Sequence, residues 1–480
     1  MTLNLGLRYE HWRPWFLPRH SAVQYDFTGE GGLNFALQNP FDALDPATDY
    51  GRDAPLNPDV PEEGYLSSTL DFAPRIGFAF SLTPDTTIRA AGGIFYAGNV
   101  NTNQFSDAQS GGAPFVTRDT RQIARTEQLP PIFIQDLFPQ PTSSIPQPGE
   151  DPPASPRALG NLADGNKIRY PAPTVYQWSF SVQHRFNPSW SLHLDYLGSR
   201  TIHNQQFVDL NAPALPQGPL ADLPIQERRR FPLWGPWLTW VNWGYQNYHS
   251  GTFGVRNREW NGLSFMANFM WAKNTGSSLS PIANDRNNFD FRNWDIWRGR
   301  ARITPTARFV SGWSYQLPWG RGRIFDLDGL ANILVGGWIL SGITEFSTGA
   351  PATVSAADNS GTGLGQQLAD RIPGCDIGDA PGDRFEWFNI ACFAEPEFGT
   401  WGKSSVGLFD DPGINNWNVN FSKTFEVREN HQVEFRMETF NLFNHTQWGP
   451  AVTSLTSPSY GRVSGTRPAR QIQFSLFYTF

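Results

Sequence analysis

The sequence predicts an all-β fold: an antiparallel transmembrane β-barrel of the outer-membrane type, with about twelve strands present. Three observations lead there. Apolar and polar residues alternate with period two in segment after segment; the links between segments are short and long in turn; and the chain closes on QIQFSLFYTF, residues 471–480, among its most apolar alternating stretches. A soluble domain rarely leaves such a strand at a terminus, where fraying and an exposed edge invite aggregation.

The first segment, TLNLGLRYE, sets Leu3, Leu5, Leu7 and Tyr9 on one parity. APRIGFAFSL follows with Ile76, Phe78 and Phe80. VYQWSFSVQHRF opposes Tyr176, Trp178, Phe180 and Val182 to Gln177, Ser179, Ser181 and Gln183, and SWSLHLDYLGS opposes Trp190, Leu192, Leu194 and Tyr196 to Ser191, His193 and Asp195. GLSFMANFMWA, NWNVNFSKTF and HQVEFRMETF repeat the pattern, the last with Val433, Phe435 and Met437 against Glu434, Arg436 and Glu438. In a closed barrel the apolar set, including Phe474 and Leu476, faces lipid, and the polar set faces the lumen.

Four links have hairpin length: TPDT between 82 and 87, NPS between 186 and 190, EWNG between 258 and 263, and RENH between 427 and 432. LPWGRGRIFDLDGLANIL at 317–334 is intermediate and occupies a turn slot. The others, 13–72, 98–174, 201–249, 274–305, 347–415 and 444–467, are long and rich in Pro, Gly, Asn and Asp. Short turns at one end and long loops at the other match periplasmic turns and extracellular loops. Soluble sandwiches and jelly rolls also alternate, but links longer than about 15 residues are uncommon in them. Tryptophans near strand ends (Trp178, Trp190, Trp271, Trp313, Trp338, Trp417) suit interfacial girdles. Lys423 resists the pattern. It shares the parity of Phe421 and Phe425, so it belongs near the periplasmic interface or at a twist or bulge.

Composition agrees. Of 480 residues 14% are aromatic, with 19 Trp and 37 Phe, and only 17% are charged, against roughly 25% in ordinary soluble domains. Mean hydropathy is −0.42, and no apolar run approaches the ~20 residues of a membrane helix. A net charge of −7 argues against nucleic acid as a partner. The start, MTLNLGLRYEHWRPW, has no basic region followed by an apolar one, which leaves either a cytosolic protein or a chain without its own leader. The two cysteines, Cys375 and Cys392, suit a disulfide or two free thiols; an oxidising extracellular loop favours the bridge.

FRMETFNLFNHTQWG at 435–449 followed by RPARQIQFSLFYTF at 467–480 resembles the C-terminal end of the Oar-like TonB-dependent outer-membrane receptors. YQWSFSVQHRFNPSWSLHLDYLGSR at 176–200, RFVSGWSYQLPWGRGR at 308–323, VGGWILSGITEFSTGAPATVS at 335–355 and WFNIACFAEPEFGTWGKSS at 387–405 resemble further barrel segments, in family order. The resemblance implies a larger barrel, typically of about 22 strands, of which this chain supplies the C-terminal part. It also implies energised import of a bulky solute, with TonB engaged only through a plug that has no counterpart in these residues. It further implies outer-membrane lipid as surroundings, and the barrel-assembly machinery as a partner that reads Phe474, Leu476, Tyr478 and Phe480. A small passive pore or surface adhesin, and a soluble carbohydrate-binding β-domain, are the alternatives.

No sequence motif of catalysis is present: the eight histidines are scattered, and neither HExxH nor GxSxG occurs. NDRNNFDFRNWD at 284–295 gathers oxygen ligands without EF-hand spacing, so neither metal nor cofactor is expected. WGPWLTWVNWGY places Trp234, Trp237, Trp240 and Trp243 just before a strand, either as a stacking platform for a ligand or as an interfacial loop base.

Overall fold

The alternating segments pair in sequence order into one antiparallel sheet. A computed structural model of the chain describes residues 1–11, 23–26, 32–35, 66–97, 157–159, 163–164, 169–209, 211–230, 234–277, 292, 294–302, 304–363, 365 and 367–480. Fourteen strands form the main sheet; two short ones, Arg157–Leu159 and Gly299–Arg300, lie off its path. The others are β1 (Thr2–Glu10), β2 (Asp71–Thr83), β3 (Thr86–Tyr96), β4 (Thr174–Arg185), β5 (Trp190–Asp209) and β6 (Trp234–Trp260). They continue as β7 (Leu263–Gly276), β8 (Ala307–Gln316), β9 (Ile339–Ser347), β10 (Ile414–Arg428), β11 (His431–Phe440) and β12 (Gln471–Thr479). Each neighbours the next in sequence, as in a meander. Among the described residues β1 and β12 do not pair with each other, so the sheet is open.

Register carries one face across all twelve strands. Leu5 lies opposite Ile76, Ile76 opposite Gly92, Gly92 opposite Trp178, and Trp178 opposite Gly198. Farther on, Leu194 meets Phe253, Phe253 meets Phe269, Phe269 meets Phe309, and Phe309 meets Phe346. Leu340, Phe421, Met437 and Phe474 close the series. The opposite face runs through Asn4, Gln177, Asp195, Asn268, Glu345, Asn416, Arg436 and Ser475 and is mostly polar. A period of two together with an unslipped ladder produces this separation, since a one-residue slip would exchange the faces.

Among the described residues the sheet has no packed apolar core on its greasy side. Phe474 and Leu476 are 66% and 71% exposed, whereas a cluster of buried apolar residues with Val354, Phe388, Phe393 and Val463 belongs to the long links. A soluble sandwich would show the reverse. Aromatic residues gather near the strand ends: Trp190 with Trp260 and Phe265 at the short-turn end, Trp417 with Phe346 and Phe443 at the other. Several rings cover glycines on the adjacent strand. A Cβ on Gly198 would stand 2.4 Å from the Trp178 indole, so this glycine makes room for the ring.

Turn chemistry sets the short end. Asn261 and Gly262, at φ 50° and 86°, form the two-residue link between β6 and β7, a backbone that Asn-Gly adopts at little cost. Asn187 Oδ1 accepts from the amides of Ser189 and Trp190 at 2.9 and 3.0 Å, shaping the β4–β5 turn. The link between β8 and β9 contains the helix α1 (Gly329–Val335). One expected boundary changes: β5 and β6 run to Asp209 and back from Trp234, so the link between them is far shorter than 201–249. Bulges at Thr201–Asn204 and Asn204–Gln206 let this hairpin continue in altered register.

Lys423 keeps its place on the apolar face, opposite Phe435, yet is only 5% exposed. Its Nζ donates to the carbonyls of Asn332 and Ile333 in α1, at 3.2 and 2.6 Å. Neither twist nor bulge is needed at Lys423; the turn helix shields the charge.

If this face meets lipid, Leu194→Arg should cost about 2–4 kcal/mol and Ser179→Arg, on the polar face, far less. Denaturant titration of each variant in phospholipid vesicles measures the difference, and equal costs would refute the assignment.

Candidate functional site

The polar face and the folded links above it form the only extended polar wall among the described residues. On the wall, Arg89 donates to Gln183 Oε1 at 2.7 Å, Arg308 pairs with Glu345 at 3.0 Å, and Arg436 pairs with Glu434 at 2.8 Å. His193 lies 3.6 Å from Asp195. On β10, Asn420 donates to Ser341 and Ser422 at 3.2 and 3.3 Å, beside Asn416 and Asn418. Most carboxylates here have a basic partner, so the wall offers hydrogen bonds to a hydrated solute rather than a strong field of one sign. No nucleophile stands beside a base in these rows, and Glu434 with Arg436 is an ion pair.

Above the wall, the link between β9 and β10 folds into a small cap together with the link between β11 and β12. Short pairs, Pro351–Ala352 with Phe409–Asp410, Ser355–Ala356 with Gln367–Leu368, and Asp370–Arg371 with Phe393–Ala394, give it a frame. Phe388 fills the centre, with Phe393, Phe409 and Tyr460 at ring-centroid distances of 5.9, 4.3 and 5.5 Å. Cys375 and Cys392 are bridged at its edge, with Cα atoms 5.3 Å apart. Arg300 ties the cap to the link before β8 through Asp410 Oδ1 at 2.7 Å and the Gly407 carbonyl at 2.6 Å. A cleft of about 470 Å³ opens beside this core, lined by Arg371, Asp376, Trp387, Phe409 and Asp410 among others.

Burial raises the pKa of Tyr460 and Asp411 in the cap. Burial pushes the Tyr460 hydroxyl well above the usual phenol range, and among the described residues that hydroxyl has no hydrogen-bond partner. Burial likewise raises the Asp411 carboxyl, while the Ala451 amide that it accepts at 3.0 Å and the charge of Arg302 pull it down.

The four tryptophans of WGPWLTWVNWGY lie inside β6, not in a loop ahead of a strand. The segment 284–295 lies mostly outside the described residues; among those described, no three His, Cys, Asp or Glu side chains are placed to hold a metal ion. Sequence reasoning missed the cap core, although the aromatic density of RFEWFNIACF between two cysteines is a signal for a stapled mini-core.

A meander with one lipid-ready face, one polar face and links folded over one end defines an outer-membrane β-barrel protein. Residues 1–473 match the family described as outer membrane beta barrel domain, and the chain belongs to that family; its place is the cell outer membrane. Among solved structures it is similar to the outer membrane transporter YddB from Escherichia coli, at 9% identity and TM-score 0.44 over 85% of this chain and 41% of that one. It is similar to the FrpB iron transporter from Neisseria meningitidis, at 11% and 0.39 over 87% and 40%. A third is BauA, the ferric preacinetobactin receptor from Acinetobacter baumannii, at 10% and 0.38 over 85% and 36%. The chain thus spans about two-fifths of the length of these structures. No curated protein matches it.

Two outcomes are expected for the cap. Cys375→Ser with Cys392→Ser opens a 17-residue separation and should destabilise it by about 3 kcal/mol in the chain-entropy model, read as faster proteolysis of the 348–413 link while the sheet stays protected. Because Asp411 is raised in the folded state, that state holds the proton more tightly than the unfolded chain. Its contribution to cap stability therefore falls as pH rises from the ordinary carboxylate value through the raised one. Asp411→Asn should flatten that part of the pH profile in a melting series; an unchanged slope would contradict it.

Proposed function

We propose that this chain is the barrel part of an outer-membrane receptor-transporter that takes up a bulky solute, with the long links extracellular and the short turns periplasmic. The observation that carries the reading is the pairing of a twelve-strand open meander with a cap folded over its long-link end. A small pore needs its wall closed, whereas an open arc of this width suits a larger barrel, and the unpaired edges of β1 and β12 call for partner strands within the membrane. Asn and Ser rows on the wall and the mixed cleft in the cap suit recognition of a polar solute with an apolar part. Trp243, near the top of β6, remains a candidate contact, together with Trp234, Trp237 and Trp240. In this reading the transporter couples to TonB through a plug domain.

The C-terminal strand has an assembly role in this reading. Phe474, Leu476 and Tyr478 share the apolar face, and Phe480 follows them at the end of the chain. An edge strand with free backbone groups and regular side chains is what β-augmentation recognises, so the barrel-assembly machinery can take it as a template.

Cells with and without the gene, each with and without TonB, should be compared for accumulation of labelled metal-chelate, cobalamin and oligosaccharide probes. The expected result is loss of one probe class on removing either the gene or TonB. Size-limited, unselective entry that ignores TonB would support a passive pore instead. Separately, deleting Phe480 should lower outer-membrane insertion while translation continues, and wild-type insertion would leave that ring only an anchoring role.

A further inference from the structure

The link between β8 and β9 is built differently from every other short turn. It folds on itself, with Phe325 N donating to Pro318 O at 2.9 Å, Gly320 N to Phe325 O at 3.0 Å and Leu317 N to Trp338 O at 2.9 Å. The backbone amide of Arg321 donates to Asn332 Oδ1 at 3.0 Å. This ordered link presents α1, a helix of seven residues, far too short to be stable alone. What fixes it is the barrel wall. Lys423 on β10 takes the carbonyls of Asn332 and Ile333, and Trp338 Nε1 donates to the Leu334 carbonyl at 2.9 Å. Consecutive carbonyls at the C-terminal end of α1 are thus held by side chains, where a cation is also favoured by the helix dipole.

Those two side chains also locate α1. Lys423 has the parity of Phe421 and Phe425, and the Trp338 ring stacks on Phe421 at 4.2 Å with planes 3° apart. Ser422 pairs with Ile339, the first residue of β9, so Lys423 stands level with the turn. The helix therefore lies against the apolar face of the sheet at its short-turn end. It does not fold into the lumen side. From there it presents Leu330, Ile333, Leu334 and Val335 outward, with Leu330 77% and Leu334 68% exposed. In water that exposure is a liability; at a membrane surface it is an anchor.

We propose that α1 is an interfacial anchor that buries Leu330, Ile333 and Leu334 among the acyl chains of the phospholipid leaflet at the short-turn end. The occupant is argued from continuity, since this apolar patch extends the lipid-facing side of β9 and β10 without a break. The inference rests on the barrel orientation above, in which that leaflet is the periplasmic one. Headgroup charge plays no part. The turn has Arg321 and Arg323 against Asp326 and Asp328, and Arg321 already pairs with Asp328 at 3.2 Å. Lys423 meanwhile is spent on carbonyls, so no cluster of free basic groups faces anionic lipid.

The full chain, refolded into phosphatidylcholine vesicles with and without phosphatidylglycerol, tests this with an environment-sensitive fluorophore on Leu334→Cys. Leu476→Cys on β12 serves as the lipid reference and Ala221→Cys, in the link between β5 and β6, as the aqueous one. The Leu334 probe should be blue-shifted, quenched more by a nitroxide near the headgroup than by one deep in the acyl chain, and indifferent to phosphatidylglycerol. Adding Lys423→Met should bring its quenching down toward the Ala221 level while the Leu476 probe is unmoved. A Leu334 probe that behaves like Ala221 beside a quenched Leu476 overturns the anchor and leaves the barrel standing, as would a protein partner covering α1. Loss of quenching at Leu476 as well would instead refute the barrel reading. Unchanged Leu334 quenching in the Lys423→Met protein would overturn the role of that lysine.

Discussion

Inside a hydrocarbon layer a strand cannot leave its peptide groups unpaired, and each unsatisfied group would cost several kcal/mol. Continuous ladders between neighbours follow, and the rest of this protein depends on them. Once β1 is registered on β2, with Leu5 opposite Ile76, the identity of the lipid-facing side is transmitted strand by strand to Met437 and Phe474. Side-chain contacts do not do this alone, because a contact between two side chains does not fix the register of the backbone ladder that sets every other residue's face. The same constraint bears on the outer edges of β1 and β12, which do not pair with each other among the described residues.

Local chemistry then removes what would disturb the ladder. Asn261-Gly262 reverses the chain in two residues, and glycines such as Gly198 lie under rings that would otherwise clash with their neighbours. Lys423 is the most demanding case. A cation on the lipid face is tolerated because α1 folds down over it and offers carbonyls, and α1 in turn exists because that cation and Trp338 hold its end. The two irregularities of the sheet thus resolve each other. Irregular backbone is moved to the long links, where it pairs with itself, as Trp387 N with Gly461 O and Val463 N with Arg384 O, around a small aromatic core centred on Phe388.

Much of this was legible in the sequence because a half-lipid, half-water sheet writes its geometry directly into side-chain alternation: Trp178 and Phe180 against Gln177 and Ser179 need no tertiary information. The short turns, such as EWNG between β6 and β7, were equally plain. What escaped had non-local causes. The extension of β5 to Asp209 and of β6 back to Trp234 rests on bulged pairing with each other, and a bulge breaks the period-two signal that reveals a strand. The cap core was hidden because Val354, Phe388, Phe393 and Val463 come from two links separated by β10 and β11, with no shared periodicity. Lys423 looked like an error until its partner, ninety residues away in a turn, was in place.

The claim that one register-linked face meets lipid is tested most directly by single-cysteine labelling of every residue from Gln471 to Phe480 in the membrane-inserted protein, using a water-borne, membrane-impermeant thiol reagent. Gln473, Ser475, Phe477 and Thr479 should react, whereas Ile472, Phe474 and Leu476 should resist and Tyr478 and Phe480 should react partially near the interface. Uniform reactivity along the strand, or protection on the Gln473–Ser475 parity, would contradict it.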